Sequence, residues 1–114
     1  MIAVRNRFHG HNSLRFVYQN GKTDRGPMTA LKYVANPRRD SYRLAVVVSK
    51  KVSKSAVVRN RIRRRIYEVV RKEPALTGKA YDMVITVFHE DVATVPHEDL
   101  QAMINTHLVQ SHII

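Results

Sequence analysis

Short apolar runs rich in β-branched residues mark three candidate strands. The clearest is residues 43–49, whose Leu-Ala-Val-Val-Val run is typical of a strand with at least one buried face. Residues 81–88 have the same character, and residues 28–35 have a weaker form of it. Residues 36–40, Asn-Pro-Arg-Arg-Asp, are turn formers. We therefore predict that strands 28–35 and 43–49 form a hairpin.

The spacing of apolar residues elsewhere predicts helices. The first covers residues 13–20, begins at an N-cap formed by Asn12 or Ser13 and ends at Gly21. Its apolar face consists of Leu14, Val17 and Tyr18. The second covers residues 56–72, with Ser53 or Ser55 as its N-cap. Its apolar stripe recurs at helical spacing and consists of Val58, Ile62, Ile66 and Val69.

A third helix is predicted after residues 94–96, because Thr94 suits an N-cap and Pro96 is favoured in a first turn. Its apolar stripe consists of Leu100, Met103, Ile104, His107 and Leu108. We expect His107 to lie at the edge of the core, hydrogen-bonded to the backbone. The order of elements indicates an α+β fold. We expect one compact domain over residues 1–114, with roughly three helices packed on a mixed sheet of roughly four strands.

Length and composition exclude several classes of protein. A chain of 114 residues encloses one modest core, and its hydrophobic fraction of 44% is ordinary for a globular protein. It has no cysteine, which excludes a disulfide scaffold and a thiolate metal site. No signal-peptide pattern is present, and no apolar run approaches the ~20 residues that span a bilayer. We expect a cytoplasmic protein with no membrane association.

The net charge and its distribution along the chain are the most informative features of the composition. The formal net charge is +11, which attracts polyanions. Residues 50–72 carry ten basic side chains and one acidic one, whereas residues 73–114 carry one basic and six acidic side chains. The positive charge is therefore concentrated on the second predicted helix and the loop before it. A nucleic acid is the natural partner of such a surface.

The apolar stripe of that helix faces the core, so the residues between point outward. They are mostly arginines, whose planar fork donates two hydrogen bonds to a phosphate, and Asn60 adds a neutral donor and acceptor. A merely solvated helix face normally alternates Glu with Lys, whereas this one has Glu68 alone. A calmodulin-type target or an anionic membrane also accepts basic amphipathic helices, but here the apolar stripe is used by the domain's own core.

Two segments carry a family resemblance. Ser49-Lys50-Lys51-Val52 at a strand end, followed by residues 56–64, Ala-Val-Val-Arg-Asn-Arg-Ile-Arg-Arg, on a helix, resembles the signature of the protein subunit of bacterial ribonuclease P. The similarity extends back to Asn6-Arg7-Phe8 and forward to residues 81–85, so it covers nearly the whole chain. Arg-Asn-Arg alone is a weak motif. Its position after the Ser-Lys-Lys strand end makes it much more specific.

The resemblance implies a fold and an activity. It implies a left-handed strand-helix-strand crossover, an exception to the usual right-handed rule. The protein is then the non-catalytic subunit of a ribonucleoprotein endoribonuclease, whose RNA uses bound magnesium to remove the 5′ leader of precursor tRNA. Its implied partners are the catalytic RNA and the precursor tRNA, without an obligate protein partner. The magnesium is held mainly by RNA, and no residue of the chain is catalytic.

The resemblance also implies two binding surfaces. The RNA-binding set for the catalytic RNA is Lys50, Lys51, Arg59, Asn60, Arg61, Arg63, Arg64 and Arg65. The single-stranded leader is expected in a cleft between the first helix and the sheet, where aromatic rings stack on unpaired bases. The cleft residues are Leu14, Phe16, Tyr18 and Tyr33. The sequence departs from the family pattern at three positions: Leu14 replaces a usual Phe, Ser53 a frequent Gly, and Tyr67 a common Arg.

Other chemistry has little support. His9-Gly10-His11 and His89-Glu90-Asp91 are the nearest approach to metal ligands, but neither has the spacing of a zinc site. No phosphate-binding glycine loop or nucleophile motif is present. Two other function classes stay open at this point. One is a structural RNA-binding protein such as a ribosomal protein, and the other is a small DNA-binding regulator, for which no helix-turn-helix spacing is visible.

Overall fold

The computed structural model describes residues 6–8 and 11–114, with side chains described from Leu14 onward in the first helix. This part of the chain forms one four-stranded sheet, three α-helices and two short 3-10 helices. The strands are β1 (Lys22–Arg25), β2 (Thr29–Ala35), β3 (Arg43–Val47) and β4 (Tyr81–Val87). The α-helices are α1 (His11–Asn20), α2 (Ala56–Arg71) and α3 (His97–Gln110). The α+β prediction is confirmed.

The predicted hairpin between β2 and β3 is wrong. The strand order is β1-β2-β4-β3, so β4 lies between them. β4 is antiparallel to β2 and parallel to β3. Met83, Val84 and Ile85 of β4 are all at most 1% exposed, so this strand is buried on both faces and belongs at the centre of the sheet. Residues 36–40 do reverse the chain, but turn composition does not specify which strand becomes the neighbour.

The hairpin that does form joins β1 to β2. β1 has the sequence Lys-Thr-Asp-Arg and was not predicted, because it contains no apolar residue. It is an edge strand with mostly exposed side chains, so it needs no hydrophobic pattern. At the other side of the sheet, α2 connects the parallel neighbours β3 and β4. The left-handed sense implied for this crossover stays a prediction.

The sheet is covered on both faces. α2 and α3 pack on one face over the larger core, which includes Leu31, Leu44, Ile62, Met83 and Leu108. On the other face, α1 encloses a smaller cluster formed by Phe8, Val17, Ala45 and Val84, with Leu14 packed against it. The alternation of side chains along each strand therefore decides which helix layer a residue meets.

Helix ends agree with the predictions at α2 and at the end of α1, and differ at the starts of α1 and α3. α2 begins after Ser55, whose Oγ accepts from the backbone N–H of Val58 at 3.2 Å. α1 begins at His11, so Asn12 and Ser13 lie inside it rather than at its cap. It ends at Gly21, as predicted. There an added Cβ would lie 2.6 Å from a carbonyl oxygen of the helix, so only glycine fits.

α3 begins at His97 with Pro96 as its cap, so the prediction of Thr94 at this cap is wrong. Thr94 instead ends the 3-10 helix Glu90–Ala93. His107 is also placed differently from the prediction. It is buried and bonded to side chains instead of backbone: its Nδ1 lies 2.6 Å from Asp24 Oδ2, and its Nε2 lies 2.7 Å from Thr29 Oγ1. This network joins α3 to the β1–β2 hairpin.

Candidate nucleic-acid interface

The basic residues predicted to bind RNA lie on α2 and on the loop between β3 and α2. Their positions follow from the burial of Ile62, Ile66, Val69 and Val70, which turns the rest of α2 outward. Lys50 and Lys51 are exposed in the loop. Asn60, Arg61 and Arg64 are exposed on the helix. The arginines at 59, 63 and 65 are half-buried, and these three have structural partners.

Three arginines of α2 donate hydrogen bonds to backbone carbonyls of the protein itself. Arg59 Nη1 donates to the carbonyl of Ser53 at 2.9 Å, and Arg63 Nη2 donates to the carbonyl of Val48 at 3.3 Å. Both bonds anchor the loop that precedes α2. A guanidinium has five N–H donors, so each arginine keeps others for a ligand. These residues can therefore position the loop and contact RNA at the same time.

Arg65 has a different environment from the other α2 arginines. Its Nη1 donates to the carbonyl of Val92 at 2.7 Å, and its Nη2 donates to the carbonyl of Val95. It thereby ties α2 to the 3-10 helix Glu90–Ala93 and to the segment that follows it. Charge-assisted bonds to two backbone carbonyls are a structural role. Helical spacing alone does not reveal it, because both acceptors are distant in sequence.

Arg61 and Arg64 have no hydrogen-bond or ion-pair partner within residues 6–8 and 11–114, so their guanidinium groups are available for phosphates. Arg64 lines a groove of about 500 Å³ together with Arg7, Asn60, Arg63 and Tyr67. Asn60 accepts a hydrogen bond from Arg63 Nη1 at 2.9 Å, which orients the amide. Burial raises the pKa of the Tyr67 phenol above its ordinary value.

Arg7 was not predicted as a site residue, although it lies in this groove. It reaches the groove because residues 6–8 run along the outer edge of β3, where Arg7 bridges to Leu44. The backbone N–H of Phe8 donates to the carbonyl of Leu44 at 3.3 Å. The sequence gives no local signal for this placement, which depends on a contact between segments far apart in the chain.

The four residues predicted to line the leader cleft fall in three different places. Leu14 and Tyr18 lie on α1 toward the sheet, and Lys32 of β2 lies with its Nζ 5.8 Å from the centre of the Tyr18 ring. Tyr18 is 45% exposed, so its ring is open to a ligand. Lys32 supplies a cation beside it. This combination of ring and cation suits an unpaired base and its phosphate.

Phe16 lies on the opposite flank of α1 from Tyr18, because two residues correspond to about 200° around a helix. Its ring is 51% exposed and lines a separate groove of about 510 Å³ with Asn36, Arg43 and Asp82. Arg43 and Asp82 form an ion pair in this groove. The structure therefore does not bring Phe16 and Tyr18 together on one surface.

Tyr33 lies on the other face of the sheet, so its placement in the α1 cleft is wrong. Side chains alternate along a strand, and Tyr33 points to the same side as Leu31, toward the larger core. Its neighbour Lys32 faces α1 instead. Counting in steps of two from the buried Leu31 would have excluded Tyr33 from the cleft and placed Lys32 in it.

The histidine clusters do not form a metal site in the part of the chain that the structure describes. No group of three or more His, Asp or Glu side chains comes together there. His89 instead caps a 3-10 helix, since its Nδ1 accepts from the backbone N–H of Asp91 at 3.0 Å. The pair at positions 9 and 11 lies outside the described side chains. No α-helix in the described ranges has the length and apolar character required to cross a membrane.

Comparison with known proteins gives a consistent result. The family model described as Ribonuclease P matches residues 2–111. The ribonuclease P protein component of Chloroflexus aurantiacus is 39% identical over 109 residues, covering 95% of this chain and 78% of that protein. The component from Roseiflexus castenholzii is 34% identical over 98 residues, covering 86% of this chain and 79% of that protein.

Solved structures show the same fold. The ribonuclease P protein of Staphylococcus aureus has a TM-score of 0.78 at 23% identity, over 95% of this chain and 96% of that one. The protein from Thermotoga maritima has a TM-score of 0.75 at 21% identity, over 85% of this chain and 89% of that one.

Proposed function

The chain belongs to the ribonuclease P protein family and is the protein subunit of this tRNA-processing endoribonuclease, and on that premise we propose which of its surfaces bind which RNA. The family works with the ribonuclease P RNA in removing the 5′ leader of precursor tRNA. The proposal assigns α2 and the loop before it to the catalytic RNA. It assigns the α1 side of the sheet to the leader. It also places the protein in the cytoplasm, where precursor tRNA is made.

The exposed cations of α2 support the first assignment. Arg61 and Arg64 are the α2 arginines with no partner in the described chain, and Lys50 and Lys51 are exposed beside the helix N-terminus. A row of unpaired guanidinium groups repels itself until a polyanion neutralises it. Arg59 and Arg63 contribute while they also hold the loop in place, and Asn60 contributes an amide that Arg63 orients. Arg65 is assigned to structure and not to RNA contact.

The pairing of Tyr18 with Lys32 supports the second assignment and is the observation that carries it. The strands place Lys32, Val47 and Thr86 on the face that α1 covers, and all three are half-buried. The sheet surface beside Tyr18 is therefore open enough to receive a single strand. A base can stack on the Tyr18 ring while Lys32 neutralises the adjoining phosphate.

We propose that the magnesium is held mainly by the RNA. Magnesium prefers oxygen ligands and is usually held by one or two carboxylates together with phosphates. The described residues do not bring three acidic or histidine side chains together, so protein side chains alone do not form a metal site there. We assign the magnesium mainly to RNA phosphates, and no step of the reaction is assigned to a side chain of this protein.

Cleavage of precursor tRNA by the same organism's ribonuclease P RNA tests the assignment of surfaces. The reaction is run at low magnesium, with and without the protein, on substrates with a long leader and with a leader of one nucleotide. The protein is expected to stimulate cleavage and to favour the long leader. Tyr18→Ala is expected to reduce that preference, since stacking on one ring is worth ~1–3 kcal/mol.

Phe16→Ala is the matched control, because Phe16 is an equally exposed ring of α1 on the opposite flank. It is expected to leave the leader preference unchanged. Loss confined to Phe16→Ala would assign the leader to the Phe16 groove, and equal loss in both variants would contradict an assignment to the Tyr18 flank alone. No loss in either would remove the leader from α1 altogether. Absence of stimulation by a folded wild-type protein, with an RNA active at high magnesium, would favour a structural RNA-binding role.

A further inference from the structure

A second aromatic site lies at the sheet edge where β2 ends and β4 begins. It is a cavity of about 340 Å³, within the size range of small-ligand pockets. We call it the tyrosine pocket and define it by Asn20, Lys22, Tyr33, Tyr81, Ser111 and His112. Neither Tyr18 nor Lys32 lines this pocket, and no residue of α2 does. Its two tyrosines and the end of α3 lie on the α3 side of the sheet, whereas Val34 and the α1 residue Asn20 line it from the α1 side.

The strand register explains why the pocket exists. β1 begins at Lys22, directly opposite Tyr33, so β1 does not cover the last two residues of β2. Residues directly opposite in an antiparallel pair share a face, so Lys22 and Tyr33 line the pocket from the same side of the sheet. Tyr81 starts β4 on the same face, and the two tyrosine rings lie 6.4 Å apart at an angle of 59°. The uncovered end of β2 thus leaves an opening lined by two rings and a cation.

The end of α3 closes the pocket on its other side. Ile113 N–H donates to the Leu108 carbonyl and His112 N–H to the Val109 carbonyl, each at 3.0 Å, which is the Schellman pattern of a helix end. The residue at the turn normally is glycine, but here it is His112 with φ 59°. An imidazole is therefore held at the pocket by a backbone conformation that favours glycine.

Ser111 gives an independent sign of a ligand. The residue is 6% exposed, and its Oγ is buried without a hydrogen-bond partner in the described structure. A buried hydroxyl without a partner is costly, and such groups are rare in folded proteins. This hydroxyl belongs to a residue that lines the pocket. A ligand with a polar edge would satisfy it once the Ser111 side chain rotates toward the pocket.

We propose that the tyrosine pocket binds one unpaired nucleotide of RNA. Two tyrosine rings offer stacking faces for a base, Lys22 offers a cation for its phosphate, and Ser111 and Asn20 offer hydrogen bonds to the base edge or ribose. No acidic side chain lines the pocket among the described residues, so nothing there repels a phosphate. This inference rests on the proposed function, since it adds a third contact to an RNA partner already assigned. The nucleotide comes either from the leader or from the catalytic RNA.

The test uses the double variant Lys22→Gln/Ser111→Ala in the full chain. Removing an unpaired hydroxyl and an exposed charge should leave the fold intact, which the melting temperature checks. Two affinities are measured. The first is that of the protein for the catalytic RNA. The second is that of the reconstituted holoenzyme for a precursor tRNA with a long leader, compared with its affinity for mature tRNA. We expect one of them to weaken about tenfold, from the loss of one hydrogen bond and one phosphate contact.

If only the affinity for the long-leader precursor falls, the nucleotide belongs to the leader. If the affinity for the catalytic RNA falls, the nucleotide belongs to the catalytic RNA. Unchanged values for both affinities overturn the proposal. Thr106→Ala is the control, because Thr106 is an exposed hydroxyl of α3 bonded to its own helix through the Ala102 carbonyl. Arg61→Ala, measured in parallel, separates the two proposals. If it weakens binding while the double variant does not, the assignment of α2 stands and the pocket proposal fails.

A direct probe makes the test independent of the holoenzyme. A short oligoadenylate is titrated into the free protein while the ring signals of Tyr33, Tyr81 and His112 are followed by nuclear magnetic resonance. We expect these signals to shift together, and the shift to be reduced in the double variant. Shifts confined to Tyr18 and α2, with none in the pocket, would overturn the proposal.

Discussion

Arg43 and Asp82 form an ion pair with two hydrogen bonds across the parallel strands β3 and β4. Arg43 Nε lies 2.9 Å from Asp82 Oδ1, and Nη2 lies 2.8 Å from Oδ2. The two residues are register partners, and Asp82 is 3% exposed. These hydrogen bonds raise the pKa of the Arg43 guanidinium. The pair fastens the two strands that the crossover through α2 brings together.

We predict that Asp82→Asn destabilises the protein by about 2 kcal/mol, because it leaves a partly buried guanidinium without its charge partner. Urea unfolding monitored by circular dichroism measures the change. Asp40→Asn is the control, since Asp40 is an exposed carboxylate on the loop before β3. Equal unfolding midpoints for the two variants would contradict a stabilising role for the pair.

The arginines of α2 are expected to separate into two classes. Arg61→Ala and Arg64→Ala should leave stability unchanged and weaken binding of the catalytic RNA, each lowering the slope of log affinity against log salt by roughly 0.7–0.9. Arg65→Ala should instead lower the free energy of unfolding by about 2 kcal/mol, because two charge-assisted hydrogen bonds to backbone carbonyls are lost. Salt titration of binding and urea unfolding of each variant provide the comparison. A stable Arg65→Ala protein with a reduced salt slope would return Arg65 to the RNA surface.

The buried network around His107 gives a prediction that depends on one hydroxyl. Thr29→Val keeps the shape of the side chain but removes the partner of His107 Nε2, so we expect a loss of about 1–3 kcal/mol in stability. Thr29→Ser retains the hydroxyl and should recover most of that loss. Thermal unfolding of the three proteins is sufficient to measure it. If Thr29→Val is as stable as the wild type while Thr29→Ser is destabilised, the hydrogen bond contributes nothing and only the methyl group matters.

Glu68 gives a pH dependence whose sign is defined. Hydrogen bonds, chiefly those donated by Arg71, lower the pKa of Glu68 from 4.5 to about 2. A carboxyl with a lower pKa in the folded state stabilises the protein fully above its unfolded pKa and loses this effect as the pH falls. We expect the stability difference between wild type and Glu68→Gln to be constant near neutral pH and to shrink as the pH falls from 4.5 toward 2. Urea unfolding across this range measures it.

The effect should also weaken at high salt, because Glu68 and Arg71 lie at the surface where ions screen charges. A difference between the two proteins that persists unchanged at the acidic end would show that glutamine alters the helix for another reason. Repeating the series with Arg71→Gln tests the assigned cause, since the acid-dependent difference should shrink when Arg71 is absent.

Local patterns in the sequence were sufficient for the elements whose burial is periodic. α2 was predicted to within one residue because its apolar spacing, its serine cap and its arginines are all properties of a single continuous segment. The same holds for β3 and β4, whose apolar runs are long enough to exclude a surface loop. The concentration of charge in residues 50–72 and the Arg-Asn-Arg helix predicted a nucleic acid as the partner without any tertiary contact.

Tertiary structure decided what depends on distant segments. The insertion of β4 between β2 and β3 turned a predicted hairpin into a crossover, because a central strand must be paired along both edges. Strand alternation moved Tyr33 out of the α1 cleft and placed Lys32 in it. Arg65 has a structural role because folding brings the carbonyls of Val92 and Val95 within hydrogen-bonding distance of its side chain. A residue's type and local spacing show what chemistry it can perform, but its face and its partners depend on how separate parts of the chain pack together.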